Sequence, residues 1–375
     1  MGYLVRCPRE HPGVSAVNVA IVGLGYWGPN LFRNFSASPH WNVSAVVDLD
    51  ERRIGKVLQG RAGTRGLSDV DAVLSDPSID AVVIATPPHT HCDLVRRALL
   101  AGKHVLVEKP LCLDVAASRE LCDLAEERGL VLMVDHTFLY TGAVEKLKEL
   151  IDGGTLGQLY YLDSIRINLG LFQLNASVVE DLAPHDISIF NYLLGERPSA
   201  VSAIGSSHFM EMQSAPDIAY MTLRYPSGVS AHIHMSWISP VKVRKTMIAG
   251  SKKMAIWDDV EPSEKIRVYD RGVNVSLDLE SRSKLLVSYR TGDVLIPALD
   301  GTEALAKIAT AFAKAIEKNE TPRCTGRDGL VVVEVLEAAQ ESIKRDGAFV
   351  ALPVGRAVTG AVDTRPSEAA ITSKA

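Results

Sequence analysis

The sequence predicts an α/β chain, with a doubly wound parallel sheet over residues 17–138 and then an α+β domain of antiparallel or mixed strands. Three observations carry that expectation. Short, nearly continuous apolar runs alternate with helix-like spans through the first third of the chain. The alternation stops after TGAVEKLKELIDGG (141–154), and strand-like runs take over. A glycine triad stands at the first strand-to-helix turn, in VAIVGLGYWGPN (19–30).

The first-half strands are VNVAIVGL, NVSAVVDLD, IDAVVIATP, HVLVEKP and LVLMVDHTF. They are rich in Val and Ile and apolar on both faces, as central parallel strands are. PNLFRNFSAS, ERRIGKVLQG, HTHCDLVRRALLAG and DVAASRELCDLAEERG read as the helices between them. Asp114 suits the N-cap of the last, and Gly129 closes it. In the second half, GQLYYLDSIRINLG, AVSAIGSSHF, AYMTLRYPSGVSAHIHMSW, VRKTMIAGSKKMAIWDD and KIRVYDRGVNV read as strands, with a hairpin at YPSG (225–228). A helix from Pro184 to Leu194, closed by Gly195, interrupts them. TEALAKIATAFAKAIEKNE and GLVVVEVLEAAQESIKRDG read as two amphipathic helices packed across the domain junction. The expected organisation is an N-terminal extension (1–16), a dinucleotide-binding domain (17–138), a substrate and oligomerisation domain (139–300), the helical pair (301–354) and a disordered tail (355–375).

Composition narrows the function. A chain of 375 residues, 47% hydrophobic, suits about two domains with a core each. A net charge of −5 argues against nucleic acid or an anionic membrane as partner. No apolar run reaches the ~20 residues of a membrane span, and no secretory signal opens the chain. Cysteines at 7, 92, 112, 122 and 324 form no CxxC pair, so free thiols in a reducing cytoplasm are expected. His232 and His234 share a strand face, but no third ligand completes a site, so no metal is expected. The basic run VKVRK (241–245) reads as a solvated edge.

The triad Gly23-x-Gly25-x-x-Gly28 has the context that gives it meaning. An apolar strand precedes it, and Pro29 follows in the first turn of a helix. The first glycine permits a tight turn, the second admits a pyrophosphate, and the third lets helix pack on strand. The next strand ends in VVDLD, where Asp48 can accept bonds from the adenosine ribose hydroxyls. A 2′-phosphate would be repelled there, so NAD is favoured over NADP; Arg52 and Arg53 oppose that preference. Two later strands end in ATPPHTH, with Thr86, Pro87, His89 and His91, and in EKP, with Glu108, Lys109 and Pro110. A lysine directly after a buried strand needs a partner or a ligand.

GLGYWG, ATPPHTH and EKP, in that order and spacing, resemble the glucose–fructose oxidoreductase / inositol dehydrogenase / rhizopine-catabolism (Gfo/Idh/MocA) family. The resemblance continues through HTFLY (136–140), DLAPHDISI (181–189) and TPRCTGRDGL (321–330) and covers residues 17–350. It implies a Rossmann domain followed by an α+β domain with a large open, mostly antiparallel sheet, and a homodimer or homotetramer formed through that sheet. It implies NAD-dependent hydride transfer at a secondary alcohol or ketone carbon of a sugar, nucleotide sugar or (amino)cyclitol. The family's catalytic lysine matches Lys109, and its Asp-xxx-His pair matches Asp181 and His185.

A secondary alcohol needs a base for its proton while hydride leaves carbon. His185 is assigned as general acid/base, Lys109 as the group that stabilises the alkoxide, and Asp181 as their orienter. Pro184 is expected to open the helix, with Asp181 before it. The expected cofactor-binding set is Gly23, Gly25, Tyr26, Trp27, Gly28, Asp48, Thr86, Pro87, His91, Glu108, Lys109 and His136. Arg166 and Asn168, alternating on one strand face, are expected with His185 at the substrate. FQLNASVVED before the aspartate, and Asp135 in place of the family's usual glycine, depart from the family pattern and leave the substrate open. Redox-assisted glycoside cleavage and a non-catalytic NAD sensor are the alternatives. Retention of Lys109, Asp181 and His185 together speaks against the sensor.

Overall fold

The computed structural model describes residues 16–170, 177–209, 215–277 and 285–353. The expected N-terminal extension up to residue 15, with Cys7, lies outside them, as do residues 171–176 of the segment before Asp181 and the tail expected at 355–375.

The first sheet holds β1 (Val17–Val22), β2 (Trp41–Val47), β3 (Arg65–Leu67), β4 (Ala81–Ile84), β5 (His104–Glu108) and β6 (Leu132–Asp135). All neighbours are parallel, in the order β3-β2-β1-β4-β5-β6. The connecting helices are α1 (Gly28–Ala37), α2 (Glu51–Leu58), α3 (Asp71–Leu74), α4 (His91–Leu100) and α5 (Val115–Glu127). The order reverses between β1 and β4, and ligands of such sheets bind beyond the strand ends at that point. β3 and α3 were not expected; at three and four residues they are too short to show a period. Asp114 caps α5 by accepting from the Ala117 N–H, as its position suggested.

The second half begins with α6 (Gly142–Asp152), β7 (Leu159–Leu169), α7 (Val178–Leu194), β8 (Ala200–Ser206), β9 (Ile218–Arg224) and β10 (Ser230–Ser236). β11 (Ile238–Gly250), β12 (Met254–Asp258), β13 (Ile266–Tyr269), β14 (Gly272–Leu277), β15 (Leu285–Arg290) and β16 (Val294–Leu295) follow. After α8 (Ala304–Lys318) and α9 (Gly326–Lys344), β17 (Val350–Ala351) ends the described chain. The large sheet runs β16-β13-β12-β11-β7-β10-β9-β8-β17, antiparallel except for β7 beside β10. The β9–β10 hairpin turns at Gly228, whose φ of 88° no other residue adopts readily.

α7 differs from expectation. It starts at Val178, and Pro184 lies inside it. The cause is a capping box: Ser177 Oγ accepts from the Glu180 N–H at 3.3 Å, while Glu180 Oε2 accepts from the Ser177 N–H at 2.7 Å. These bonds nucleate the first turn, and Pro184 removes only one bond further on.

α7 and α9 cover one face of the large sheet. α9 also packs on α5, and its buried Glu334 receives Arg119 from the first half and Arg197 from the second. α8 instead lies on the first half: Trp41 of β2 stacks on Phe312, ring centroids 5.2 Å apart, and donates its indole N–H to the Ala309 carbonyl. No helix among the described residues is long and apolar enough to cross a membrane.

Candidate active site

The glycine loop is shaped by contact. A Cβ on Gly28 would lie 2.1 Å from the Gly23 carbonyl oxygen, and one on Gly23, at φ 94°, 2.6 Å from that of Ala85. Both are glycine because the protein itself leaves no room. Gly25 is different: a Cβ there would meet nothing within 4 Å, so the open space beside it is available to a ligand. α1 begins here with no side-chain cap and no acidic residue in its first turn, so its N–H groups and dipole face outward uncompensated. That donor set fits a pyrophosphate. Tyr26, 88% exposed, and Trp27 flank the loop as a tilted ring pair 5.6 Å apart. A cavity of about 520 Å³ opens beside them, lined also by Arg33, Arg53, Lys56 and Arg61. Asp48 accepts from the Leu24 N–H at 2.6 Å and the Asp50 N–H at 2.8 Å, which ties the end of β2 to the loop. Each of its oxygens keeps a lone pair for a hydroxyl.

Thr86 and Pro87 form the turn after β4. His91, expected among the cofactor contacts, is instead completely buried, with Nδ1 2.8 Å from the Pro110 carbonyl and Nε2 2.9 Å from that of Thr86. Burial lowers its pKa, and a neutral ring donates to only one of two carbonyls. Its work is to brace the turn after β4 against the turn after β5. The Lys109–Pro110 bond in that second turn is cis.

The proposed proton-transfer residues meet where β5 ends against α7. Lys109 Nζ donates to the Asp181 carbonyl at 2.7 Å and lies 3.4 Å from Asp181 Oδ1. Pro184, lacking an N–H, leaves this turn one internal bond short. The other carboxylate oxygen of Asp181 accepts from the Trp237 indole at 3.1 Å. Asp181 and His185, four apart on a continuous helix, share a face. His185 packs edge-on against Phe138, centroids 5.0 Å apart, and its Nδ1 is buried without a partner among the described residues. Burial, then the charges of Lys109 and Arg166, hold its pKa well below the usual value. The imidazole is therefore neutral near pH 7 and can accept a proton.

Behind Lys109 lies a second carboxyl cluster. Glu108 and Asp135 end adjacent strands in direct register and are both buried. Lys109 donates its backbone N–H to Glu108 Oε2 at 3.2 Å, and Thr137 donates to Asp135 Oδ1 at 2.8 Å. The remaining oxygens, Glu108 Oε1 and Asp135 Oδ2, are buried without a hydrogen-bond partner among the described residues. Two buried carboxyls at the ends of paired strands disfavour each other's ionisation. Burial raises both, Glu108 well above its ordinary value and Asp135 to about 6. His136, also buried, has no partner on either ring nitrogen among the described residues and is lowered to about 3 by burial and by Lys109.

The expected substrate contacts divide. Arg166 is buried and bound bidentately to Asp186, at 2.7 and 3.1 Å, under the Phe138 ring. Its charge is spent inside the fold, so the expectation that it contacts substrate is corrected. Asn168 donates to the neighbouring Leu169 carbonyl at 3.0 Å. Arg244, from the run read as a solvated edge, points the other way: Arg244 and Arg166 are directly paired across β11 and β7. Strand alternation sends Lys245 outward and Arg244 inward, a signal that could have found it. Trp237, Phe138 and Asp186 carried no local signal. His232 bonds Thr222, His234 stacks on Tyr220, and the four described cysteines are free.

Comparison with known proteins agrees with the fold. A family model described as "Oxidoreductase family, NAD-binding Rossmann fold" matches residues 17–136, and one for the GFO/IDH/MocA C-terminal domain matches 144–256. The scyllo-inositol 2-dehydrogenase (NAD(+)) of Bacillus subtilis is 28% identical, over 92% of this chain and 98% of that protein. The myo-inositol 2-dehydrogenase of Thermotoga maritima is 25% identical, over 88% and 96%. The solved UDP-N-acetylglucosamine 3-dehydrogenase of Acidithiobacillus ferrooxidans superposes with a TM-score of 0.73 at 25% identity, covering 88% of this chain and 99% of that one.

Proposed function

The chain belongs to the GFO/IDH/MocA oxidoreductase family, and from that premise we propose that it interconverts a secondary alcohol and a ketone on a sugar, nucleotide sugar or cyclitol. The observation that carries the reading is the bond from Lys109 to Asp181, with His185 one turn along the same helix. When bound, NAD supplies a hydride acceptor at its nicotinamide ring. His185, neutral, takes the hydroxyl proton as the carbon–hydrogen bond breaks. Lys109 donates to the same oxygen and stabilises the developing alkoxide. Asp181, held by Trp237, aims the lysine. The reverse direction returns the proton from His185 to the ketone oxygen.

Gly23, Gly25, Gly28 and the α1 N-terminus would hold the pyrophosphate, and Asp48 the adenosine ribose. The Asp48 carboxylate favours NAD over NADP. Arg53, 3.6 Å from Asp48, and Lys56 near it oppose that preference without cancelling a charge placed directly at the ribose. The partner is a second copy of the chain. The uncovered face of the large sheet carries a directly paired row, Ile204–Tyr220–His234–Ile165, in which Ile204 is 54% and Tyr220 49% exposed. Such a face suits burial against its own copy.

The test is a screen of NAD and NADP reduction against inositols, free sugars and nucleotide sugars. Lys109→Ala and His185→Ala should each lower kcat/KM by about 10²–10⁴, the range of a lost general acid/base. Melting curves must show both variants folded. Full activity in both folded variants overturns the assignment, and product release without NADH accumulation points to redox-assisted elimination instead.

A further inference from the structure

The wall of the cleft beside His185 holds donors without acceptors. Arg244 Nε is buried and bonds nothing among the described residues, and neither does the buried indole Nε1 of Trp257. Both belong to the helix-side face of the large sheet. Trp257 pairs with Thr246 on β11, which makes Arg244 its diagonal neighbour. Phe138 joins this wall to the proposed base, with its ring centroid 5.0 Å from that of His185 and 6.1 Å from that of Trp257. The charge of Arg244 is also one of those felt by His185.

Charge pairing leaves the same wall positive. Arg166 and Arg244 sit directly opposite on adjacent strands, an arrangement that costs energy unless each is neutralised. Arg166 is neutralised, by Asp186. Lys109 has Asp181. Among the described residues Arg244 has only Asp259, at 3.6 Å, and Asp259 is shared with Lys265 at 3.7 Å. Two cations on one carboxylate leave an excess of one positive charge, at a side chain about a third exposed. On β11 and β12 the buried polar atoms that lack partners are both N–H donors. Two donors on diagonally neighbouring residues, with surplus positive charge beside them, match an oxyanion.

We propose that Arg244 and Trp257 form an anion subsite, and that the substrate carries a carboxylate or phosphate within one sugar ring of the carbon that exchanges hydride. This rests on the dehydrogenase reading for the site but not for its test. Two ring contacts separate His185 from Trp257, 5.0 Å to Phe138 and 6.1 Å onward, a span that an acid group on the reacting ring or a phosphate on its anomeric oxygen can cover. A phosphate at the far end of a long substituent does not.

The experiment is isothermal titration of NAD-loaded protein with glucuronate, glucose 1-phosphate and glucose. These three probes share a ring and differ in the anion. Wild type should bind at least one anionic probe ten times or more tighter than glucose. Arg244→Met, which keeps the stem and removes the fork, should lower that ratio 10- to 100-fold, the loss of a charge-assisted bond. Trp257→Phe should lower it several-fold. The carboxylate and phosphate arms decide which oxyanion is taken. Equal affinity of wild type for all three probes, or an unchanged ratio in Arg244→Met, overturns the subsite. So does an equal loss for glucose and for the anions, which is what a purely structural role predicts. Arg244-dependent binding in a protein that reduces no NAD would sink the dehydrogenase reading and leave the subsite standing.

Discussion

Replacing Asp135 by asparagine should change how stability depends on pH. Burial raises the Asp135 carboxyl from 3.8 to about 6, against the hydrogen bond from Thr137. A carboxyl whose folded pKa exceeds its unfolded value holds its proton more tightly in the folded state. Its contribution is complete below the unfolded pKa and is lost as pH climbs through the folded one. A shift of about two units corresponds to about 3 kcal/mol, of which about 2.5 kcal/mol is lost between pH 4 and pH 8. Asparagine cannot ionise. It can still accept from Thr137 through its oxygen. The gap between variant and wild type should therefore widen by about 2.5 kcal/mol, in favour of Asp135→Asn, from pH 4 to pH 8. At about 2 cal/mol/K of unfolding entropy per residue, a chain of this size should show that as about 3–4 °C in Tm. Melts of both proteins at unit pH steps measure it, and carboxyls remote from Asp135 cancel in the difference. A gap that stays constant within 1 °C would show that burial does not raise the Asp135 carboxyl.

The glycine loop offers a contrast between two neighbours. Gly28→Ala puts a methyl 2.1 Å from a backbone oxygen and should cost about 1–3 kcal/mol of stability in urea unfolding. Gly25→Ala meets no protein atom within 4 Å, so it should melt near wild type and yet weaken NADH binding at least ten-fold by fluorescence titration. Retained NADH affinity in Gly25→Ala would remove this loop from the cofactor site. Asp186→Ala strands the Arg166 guanidinium, 3% exposed, and should cost about 3–5 kcal/mol; the double change Arg166→Met, Asp186→Leu should recover most of it. A double variant no more stable than Asp186→Ala would mean that the ion pair, not its volume, holds β7 to α7.

The parts of the site legible in the sequence are those where one short segment contains the whole constraint. The glycine triad is of this kind, because Gly23 and Gly28 answer to each other across five residues. So is the lysine at the end of β5, conspicuous after an apolar run. The start of α7 was misread because Pro184 is a strong local signal, whereas Ser177 and Glu180 act only as a pair seven and four residues upstream. Arg166 and Arg244 pose a harder case. Each is an arginine on an alternating strand, and nothing within either strand says which one is free. Asp186 decides it, from a helix twenty residues beyond Arg166. The same holds for Glu108 and Asp135: each ends an apolar strand, and each alone reads as a carboxylate at a loop. They become a buried pair because β5 and β6 are neighbours in the sheet order, in register to the last residue. Electrostatics in this cleft therefore follow from strand adjacency, which is why the end of an apolar strand pointed to Lys109 and the family resemblance to Asp181 and His185, while the charges around them had no local signal.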